Sequence, residues 1–423
     1  MKMIQTIKRH LRDIQHGGSL VLFRKIKWVT IKTARLPSYI LAIPAVLIIR
    51  LIRPWLLVRM DALISARIGH FAANTELYLC EQDAGINVPN QCYIDIFYTN
   101  GFICNQQLAT MWNRVLRVWP GWIWGPIHRI NRNIPGAKLY EIGSTNGRDI
   151  HNLLDRFPTH LQFTAEEEAR GEAGLRLMGL PAGSKFVCLN VRDSAYLADP
   201  AWSYHSYRDS DIQNYVLAAE ALAERGYFVI RMGAKVHESI KSAHPRVIDY
   251  ATNGMRSDFM DIYLGAKCVF CISTGTGWDG IPDILRRPIV YVNFGPVGYL
   301  PSFRKWTINI FKHHFSLMEN RKLSISEIFT HGVGFCMSTS DYGTKGVALI
   351  ENTPEEICDV AIEMADRLTV TWQALPGDEM LLKRFWEIFP TGAVDSYYGK
   401  PLHGEIRSRF GAIFLRNNLE WLQ

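Results

Sequence analysis

Thirty residues from Lys267 to Pro296, KCVFCISTGTGWDGIPDILRRPIVYVNFGP, constrain the fold of this chain more than any other stretch. A short apolar run, Cys268 to Ile272, meets the small-residue turn Ser273-Thr274-Gly275-Thr276-Gly277. A helix-like segment and a second apolar run, Ile289 to Asn293, follow. That order reads as strand, turn, helix, strand, the βαβ unit of a parallel sheet. The turn falls where the helix begins, and free amides with the positive end of a helix dipole favour a phosphate there. A Ser/Thr N-cap on a structural helix has the same appearance, and the turn is neither a Walker loop nor a GxGxxG fingerprint.

The alternation extends in both directions. From Lys185 onward, strands are expected at Phe186–Val191, Tyr227–Arg231, Val247–Tyr250, Val269–Ser273 and Ile289–Asn293. Helices are expected at Asp211–Arg225, Arg256–Ala266, Gly280–Leu285 and Pro354–Leu368, the last opened by a Thr353/Glu356 capping box with Pro354 at its first position. Earlier, strands are expected at Met60–Ser65, Cys92–Tyr98 and Lys138–Ile142, with helices from His70 to about Glu81 and over Gln106–Arg117. The turn-rich WPGWIWGP (Trp119 to Pro126) reads as a loop or lid, and the polar, Gly-containing run Ala165 to Pro181 as a domain boundary. The fold class is therefore α/β with two Rossmann-like, doubly wound domains. Residues 1–59 would form a basic amphipathic arm, 60–180 an N-terminal Rossmann-like domain, 181–375 a C-terminal Rossmann-like domain, and 376–423 C-terminal helices.

Charge separates the arm from the body. Residues 1–60 hold twelve Lys/Arg against one acid, Asp13, which gives +11 and leaves −4 of the overall +7 for the remainder. Tyr39 to Ile49 is apolar, but eleven uncharged residues are fewer than the about twenty that span a bilayer. Apolar residues mixed with Arg/Lys, with Trp28 and Trp55, point instead to an interfacial anchor on an anionic membrane surface. The alternative is a basic helical region packed on its own protein. No motif supports nucleic-acid binding. The eight cysteines are scattered, mostly in apolar runs, and Cys268/Cys271 lack a second pair for a zinc site, so all eight read as buried thiols in a reducing cytoplasm.

Polar residues concentrate just past the expected strands. Arg192-Asp193 follows the first strand of the second half, and Tyr207-Arg208-Asp209-Ser210-Asp211 precedes a helix for which Asp209 or Ser210 would be the N-cap. Arg231, Met232 and Gly233 end the next strand, and Asn293-Phe294-Gly295 ends another. Guanidinium groups beside amide donors are what a diphosphate requires, so Arg192, Arg231 and Ser273 to Gly277 are the leading donor-site candidates, with Asp193, Tyr207, Arg208 and Gly233 beside them. For the arginines, ordinary ion pairs with a neighbouring carboxylate are the competing reading.

The segments SYHSYRDSDIQNYVLAAEALAERGYFVIRMG, SARIGHFAANTELYL, STGTGWDGIPDILRRPIVYVN and the closing RSRFGAIFLRNNLEWL resemble a bacterial family of glycosyltransferases associated with surface-carbohydrate synthesis. The resemblance covers roughly residues 60 to 423, leaves WPGWIWGP unmatched, and implies a GT-B-like fold and sugar transfer without supplying a catalytic residue. A transferase of this plan neutralises a nucleotide diphosphate leaving group with Arg/Lys and a helix N-terminus, without metal or cofactor. It needs a base for the acceptor hydroxyl if it inverts configuration. His70 is the first candidate base, His205 the second and Asp279 the third, while Glu76 is expected at the surface. No DxD stands at a strand end; Asp209-x-Asp211 reads as helix capping. The expectation is a cytoplasmic, peripheral-membrane glycosyltransferase moving a sugar from a nucleotide-sugar donor to a lipid-linked glycan. A sugar-nucleotide epimerase and a non-catalytic sugar-binding component are the alternatives.

Overall fold

The computed structural model describes residues 36–423, apart from 144–146, 198–199 and 397–398 and the side chains of 36, 197 and 200–202, with isolated positions 18, 21 and 23 before them. The arm before residue 36, apart from those three positions, thus lies outside the described residues. The chain divides into two compact units that interleave along the sequence. One comprises Met1–Leu63, Pro89–Phe102 and Leu116–Gly143; the other comprises Ile64–Val88, Ile103–Val115 and Ser144–Gln423. The helices Ile68–Asp83 and Gln106–Val115, which the sequence groups with the first half, belong to the second unit.

In the first unit, β1 (Leu57–Leu63), β2 (Tyr93–Thr99) and β3 (Val118–Trp119) form a parallel sheet in that order. Arg59 and Asp95 stand opposite each other in register, and their buried side chains pair at 2.6 Å. Helix Leu36–Leu51 buries Ala42, Val46 and Ile49, an i, i+4, i+7 stripe, in a cluster with Met60, Ile96 and Ile127. Its other face is bare, with Leu41 71 % and Leu51 72 % exposed, and Trp55 and Trp122 of the same unit as open. The helix is sixteen residues long, and no helix among the described residues is long and apolar enough to cross a membrane.

Two expectations fail in this unit. WPGWIWGP is not a loop: Pro120 is the N-cap of helix Gly121–Arg132. Pro120 and Gly121 fall at the entry, where a missing donor costs nothing, while Gly125 and Pro126 lie buried within the helix. A Cβ on Gly121 would lie 2.2 Å from the Thr99 carbonyl oxygen, so only glycine fits there. Lys138–Ile142 is not a strand but a 3-10 turn, Ala137–Tyr140, followed by a single bridge from Glu141 to Met60.

The second unit is built on β4 (Phe186–Asn190), β5 (Phe228–Arg231), β6 (Val247–Asp249), β7 (Cys271–Ser273), β8 (Ile289–Phe294) and β9 (Thr307–Phe311). Beyond them lie β10 (His313–Ser316), β11 (Arg321–Lys322), β12 (Val347–Ile350) and β13 (Arg409–Phe410). The large sheet runs β13-β9-β8-β7-β4-β5-β6, with every pairing parallel. Counting β4 as first, β6 to β9 read 3-2-1-4-5-6, the order of a doubly wound nucleotide-binding sheet, with its topological switch between β4 and β7. The expected strands of this half are all present, as are the helices, although Ile212–Tyr215 is a 3-10 turn ahead of helix Val216–Glu224. The Thr353/Glu356 capping box opens helix Pro354–Leu368 as expected.

Ala165 to Pro181 is no linker. Thr164 and Glu167 form a capping box that starts helix Ala165–Leu177. A Cβ on Gly171 would strike the Tyr263 ring at 2.1 Å and one on Gly174 the Met260 sulfur at 2.6 Å, so these glycines let the helix lie close on helix Asp258–Lys267. The antiparallel β10–β12 sheet is absent from the sequence reading. Within Ile406–Leu422, expected to be helical throughout, β13 pairs with β9 before the short helix Ala412–Asn417. Here Phe410, Phe414 and Trp421 join Phe311 and Phe385 in a stacked aromatic cluster.

Candidate functional site

A cavity of about 750 Å³ opens at the switch point of the large sheet, beyond the carboxyl ends of β4, β5 and β7. Three loops wall it. The loop after β4 brings Arg192 and Asp193, the loop after β5 brings Gly233 and Lys235, and the turn after β7 brings Thr276, Gly277 and Asp279. Side-chain bonds lock the loops together. Asn190 Nδ2 donates to Thr276 Oγ1 at 2.5 Å, and the Arg192 amide donates to Thr274 Oγ1 at 2.9 Å. Asp193 accepts from the amides of Ala195 and His237, both at 2.9 Å, joining the β4 and β5 loops.

The N-terminus of helix Ile68–Asp83 is the fourth wall. A Cβ on Gly69 would sit 2.9 Å from the Gly277 carbonyl oxygen and 3.0 Å from its Cα, so the two backbones touch because residue 69 is glycine. The N-cap is Arg67, which supplies no side-chain cap. Ile68, Gly69 and His70 line the cavity at this uncapped end, where helix amides lack intrahelical acceptors.

The turn after β7 is different. Asp279 Oδ2 accepts from Ser273 Oγ and from the Thr276 amide, both at 2.8 Å. Ser273 Oγ takes the Gly275 amide at 3.1 Å, Thr276 Oγ1 takes the Trp278 amide at 3.2 Å, and the Asn190 carbonyl takes that of Thr274 at 3.3 Å. The amides expected to hold a phosphate are thus largely consumed inside the turn, and Ser273, Thr274 and Gly275 do not line the cavity. The helix that follows, Gly280–Ile284, has only five residues.

The cations divide in the same way. Arg192 and Arg208 line the cavity; Arg192 lies 3.3 Å from Asp209, and Arg208 reaches the Gly275 carbonyl. Arg231 does not line it: it is 1 % exposed and paired with Asp249 at 3.2 Å. Tyr207 is buried on Tyr342 and against Gly295, outside the lining. Neither Asp209 nor Ser210 is the N-cap. Asp211 caps at Gln213, while Ser210 Oγ bonds Glu351 at 2.7 Å and accepts from Asn293, itself a buried brace between loops.

All three candidate bases line the cavity. Burial lowers the pKa of His70, so the ring is neutral at pH 7. With Nδ1 donating to Asn74 Oδ1 at 3.4 Å, Nε2 keeps its lone pair. His205 stacks on Tyr204, and its pKa is lowered by burial and then by Arg208, Arg192 and Arg67. Three cations beside it mark an electropositive pocket and oppose a further positive charge on that ring. Burial pushes Asp279 up to about 7 against the pull of Ser273 and Thr276.

Glu76 is not at the surface. It is 0 % exposed and accepts from Arg286 at 2.7 Å and faces His160 Nδ1 at 3.2 Å. Contacts with Cys80 and then Glu76 raise His160 to about 10. Glu76, Cys80 and His160 place potential metal ligands within 4.8 Å of one another, and Arg286 already donates to two of them, Glu76 at 2.7 Å and Cys80 at 3.5 Å. All eight cysteines are free; five are buried, Cys104 and Cys358 half-buried, and Cys92 is exposed, contrary to expectation.

The sequence reading passed over Arg67 and the uncapped helix end beside it. The available signal was the absence of Ser, Thr, Asp or Asn at the N-cap of a helix that otherwise starts cleanly.

No family model and no curated protein matches the sequence. Among solved structures, the chain is similar to the glycosyl transferase family 9 protein from Veillonella parvula DSM 2008, at 11% identity over 74% of this chain and 97% of that one, with a TM-score of 0.43. It is similar to Escherichia coli ADP-heptose lps heptosyltransferase II at 14% identity, over 74% of this chain and 99% of that one, with a TM-score of 0.39. Likeness at this level carries no argument about function.

Proposed function

We propose that the chain is a glycosyltransferase that moves a sugar from a nucleotide-activated donor to a lipid-linked glycan at an anionic membrane surface. The observation that carries this reading is the cavity at the switch point, where Arg192, Arg208 and the uncapped N-terminus of helix Ile68–Asp83 converge. Such a site offers bidentate guanidinium contacts and backbone amides to one diphosphate. As the bond from the anomeric carbon to the leaving diphosphate breaks, negative charge grows on the phosphate oxygen, and preorganised donors stabilise it most at that moment. Arg192, Arg208 and the helix amides take this role in place of a metal ion. His70 Nε2 accepts the proton of the attacking acceptor hydroxyl. Asp279 holds the turn against which His70's helix is seated.

Two features of the chain support the membrane part. The helix Leu36–Leu51 leaves a bare apolar face, and the sequence preceding it is strongly cationic. An apolar stripe beside Lys/Arg is the chemistry of an interfacial anchor on acidic lipid.

A thermal-shift panel of UDP, GDP, ADP, dTDP and CMP, with the corresponding sugar nucleotides, tests the donor site on the full chain. A ligand at a hundred times its dissociation constant stabilises by about 2.7 kcal/mol. One nucleotide responding, with the response lost in Arg208→Ala, is the expected result. A folded protein that answers to none of them would overturn the proposal.

A further inference from the structure

A second cavity, of about 710 Å³, lies at the amino-terminal side of β8 and β9, among Arg156, Phe157, Arg286, Lys305, Trp306 and Arg407. Leu154 and Arg304 line both this cavity and the cleft, so the two share a wall. Five of its lining residues are cations and one, Asp155, is an acid. That single carboxylate is already divided between Arg304 at 2.9 Å, the Lys305 amide at 2.8 Å and Arg407 at 3.8 Å. Arg286 and Arg304 are also spent inward, on Glu76 and Asp283.

The outer cations are free to meet a ligand. Arg156 and Lys305 are exposed and pair with no carboxylate among the described residues. Each instead lies over a ring, Arg156 over Phe157 at 5.5 Å and Lys305 over Trp306 at 5.3 Å. Arg407 pairs at 2.7 Å with the exposed Glu405 at the rim and only distantly with the shared Asp155. Trp306 is 42 % exposed, a large apolar surface that the fold leaves uncovered inside a cationic hollow. An aromatic face beside unpaired guanidinium and ammonium groups matches a ligand that is a ring on one side and an anion on the other.

We propose that this cavity is a binding site for an anionic saccharide, with the sugar ring on Trp306 and its phosphate or carboxylate between Arg156, Lys305 and Arg407. The site is separate from the transfer reaction, since none of these four residues lines the cleft.

Titration of the full chain with glucose 6-phosphate, glucuronate, glucose and inorganic phosphate, followed by saturation-transfer NMR, tests it. One or both acidic sugars should bind at least about tenfold more tightly than glucose or phosphate alone, and which of them wins names the anion. Arg156→Ala with Lys305→Ala should weaken that binding about tenfold or more, as expected for losing charge-assisted bonds. Trp306→Ala should abolish the preference over inorganic phosphate, and Arg208→Ala should leave it intact. Both cations are exposed, so unchanged thermal melting of the double variant serves as the folding control. Equal binding of all four ligands, or acidic-sugar binding that survives the double variant, would overturn the site. Binding lost only in Arg208→Ala would place the sugar in the cleft and overturn it equally.

Discussion

Gly69→Ala separates two opposing effects at the most sensitive contact of the cleft. Alanine in place of an ordinary helix glycine gains up to about 1 kcal/mol, because the unfolded chain loses freedom and the helix gains a better former. At Gly69 the added Cβ would lie 2.9 Å from the Gly277 carbonyl oxygen and 3.0 Å from its Cα. Both are main-chain atoms, so no side chain can turn aside, and the helix or the turn must shift by several tenths of an ångström. Overpacking of this kind costs about 1–3 kcal/mol, which outweighs the propensity gain. Gly277→Ala is the control across the same interface. Its Cβ would meet Gly69 N and an Ile68 methyl at 3.4 Å, ordinary contact distances. Urea unfolding of both variants reads the difference. Gly69→Ala should lose about 1–2 kcal/mol, Gly277→Ala should stay within about 0.5 kcal/mol of the parent, and only Gly69→Ala should also weaken nucleotide binding. A Gly69→Ala protein more stable than the parent would refute the close approach and, with it, the seating of the helix end at the turn.

Asp279→Asn has a pH signature. The folded pKa of Asp279 lies above its unfolded value, so ionisation penalises the folded state as pH rises from about 4 through about 7. The variant should therefore gain stability over the parent between pH 5 and pH 8, by up to about 4 kcal/mol for a shift of about three pH units; parallel unfolding curves would refute it. Glu76→Gln should cost about 3 kcal/mol in thermal or urea unfolding, because Arg286 then loses its buried carboxylate and His160 keeps only the more exposed Asp83. Arg192→Ala and Arg208→Ala should each weaken nucleotide diphosphate binding about tenfold by calorimetry, whereas Arg231→Ala, buried outside the cavity lining and paired with Asp249, should act on stability. His70→Ala should lower turnover of the transfer assay by about a hundredfold or more with donor affinity unchanged. Retained turnover would pass the base role to Asp279.

Five of the seven strands of the parallel sheet were legible because they are short apolar runs, and a strand buried on both faces needs little other signal; β9 and the two-residue β13 were not read. Interleaving of the two units was not legible. The helices Ile68–Asp83 and Gln106–Val115 sit between strands of the first unit in sequence yet group with the second unit, and no local pattern records which sheet a helix covers. Glycine misled twice for the same reason. Gly171 and Gly174 look like linker residues by composition, and Gly121 like a turn, but each is small because another group stands within 2.6 Å of where its Cβ would be. A glycine that relieves a contact and one that frees a backbone are the same letter.

The site shows where polar residues can be read and where they cannot. Position was readable: Arg192, Arg208, Gly233, Thr276, Gly277 and the three candidate bases line one cavity, because residues after parallel strands must gather at one edge of the sheet. Availability was not. A turn rich in Ser, Thr and Asp looks like an anion cradle, yet those side chains are the ones able to satisfy its amides from within, and Asp279, Ser273 and Thr276 do so here. Arg67 at the start of helix Ile68–Asp83 cannot accept a hydrogen bond, so its side chain leaves the amides that follow it uncapped. Amides uncapped by a side chain therefore lie where the sequence withholds a cap, which is why the proposed diphosphate site rests on the cationic N-cap facing the switch-point cavity and not on the hydroxyl-rich turn beside it.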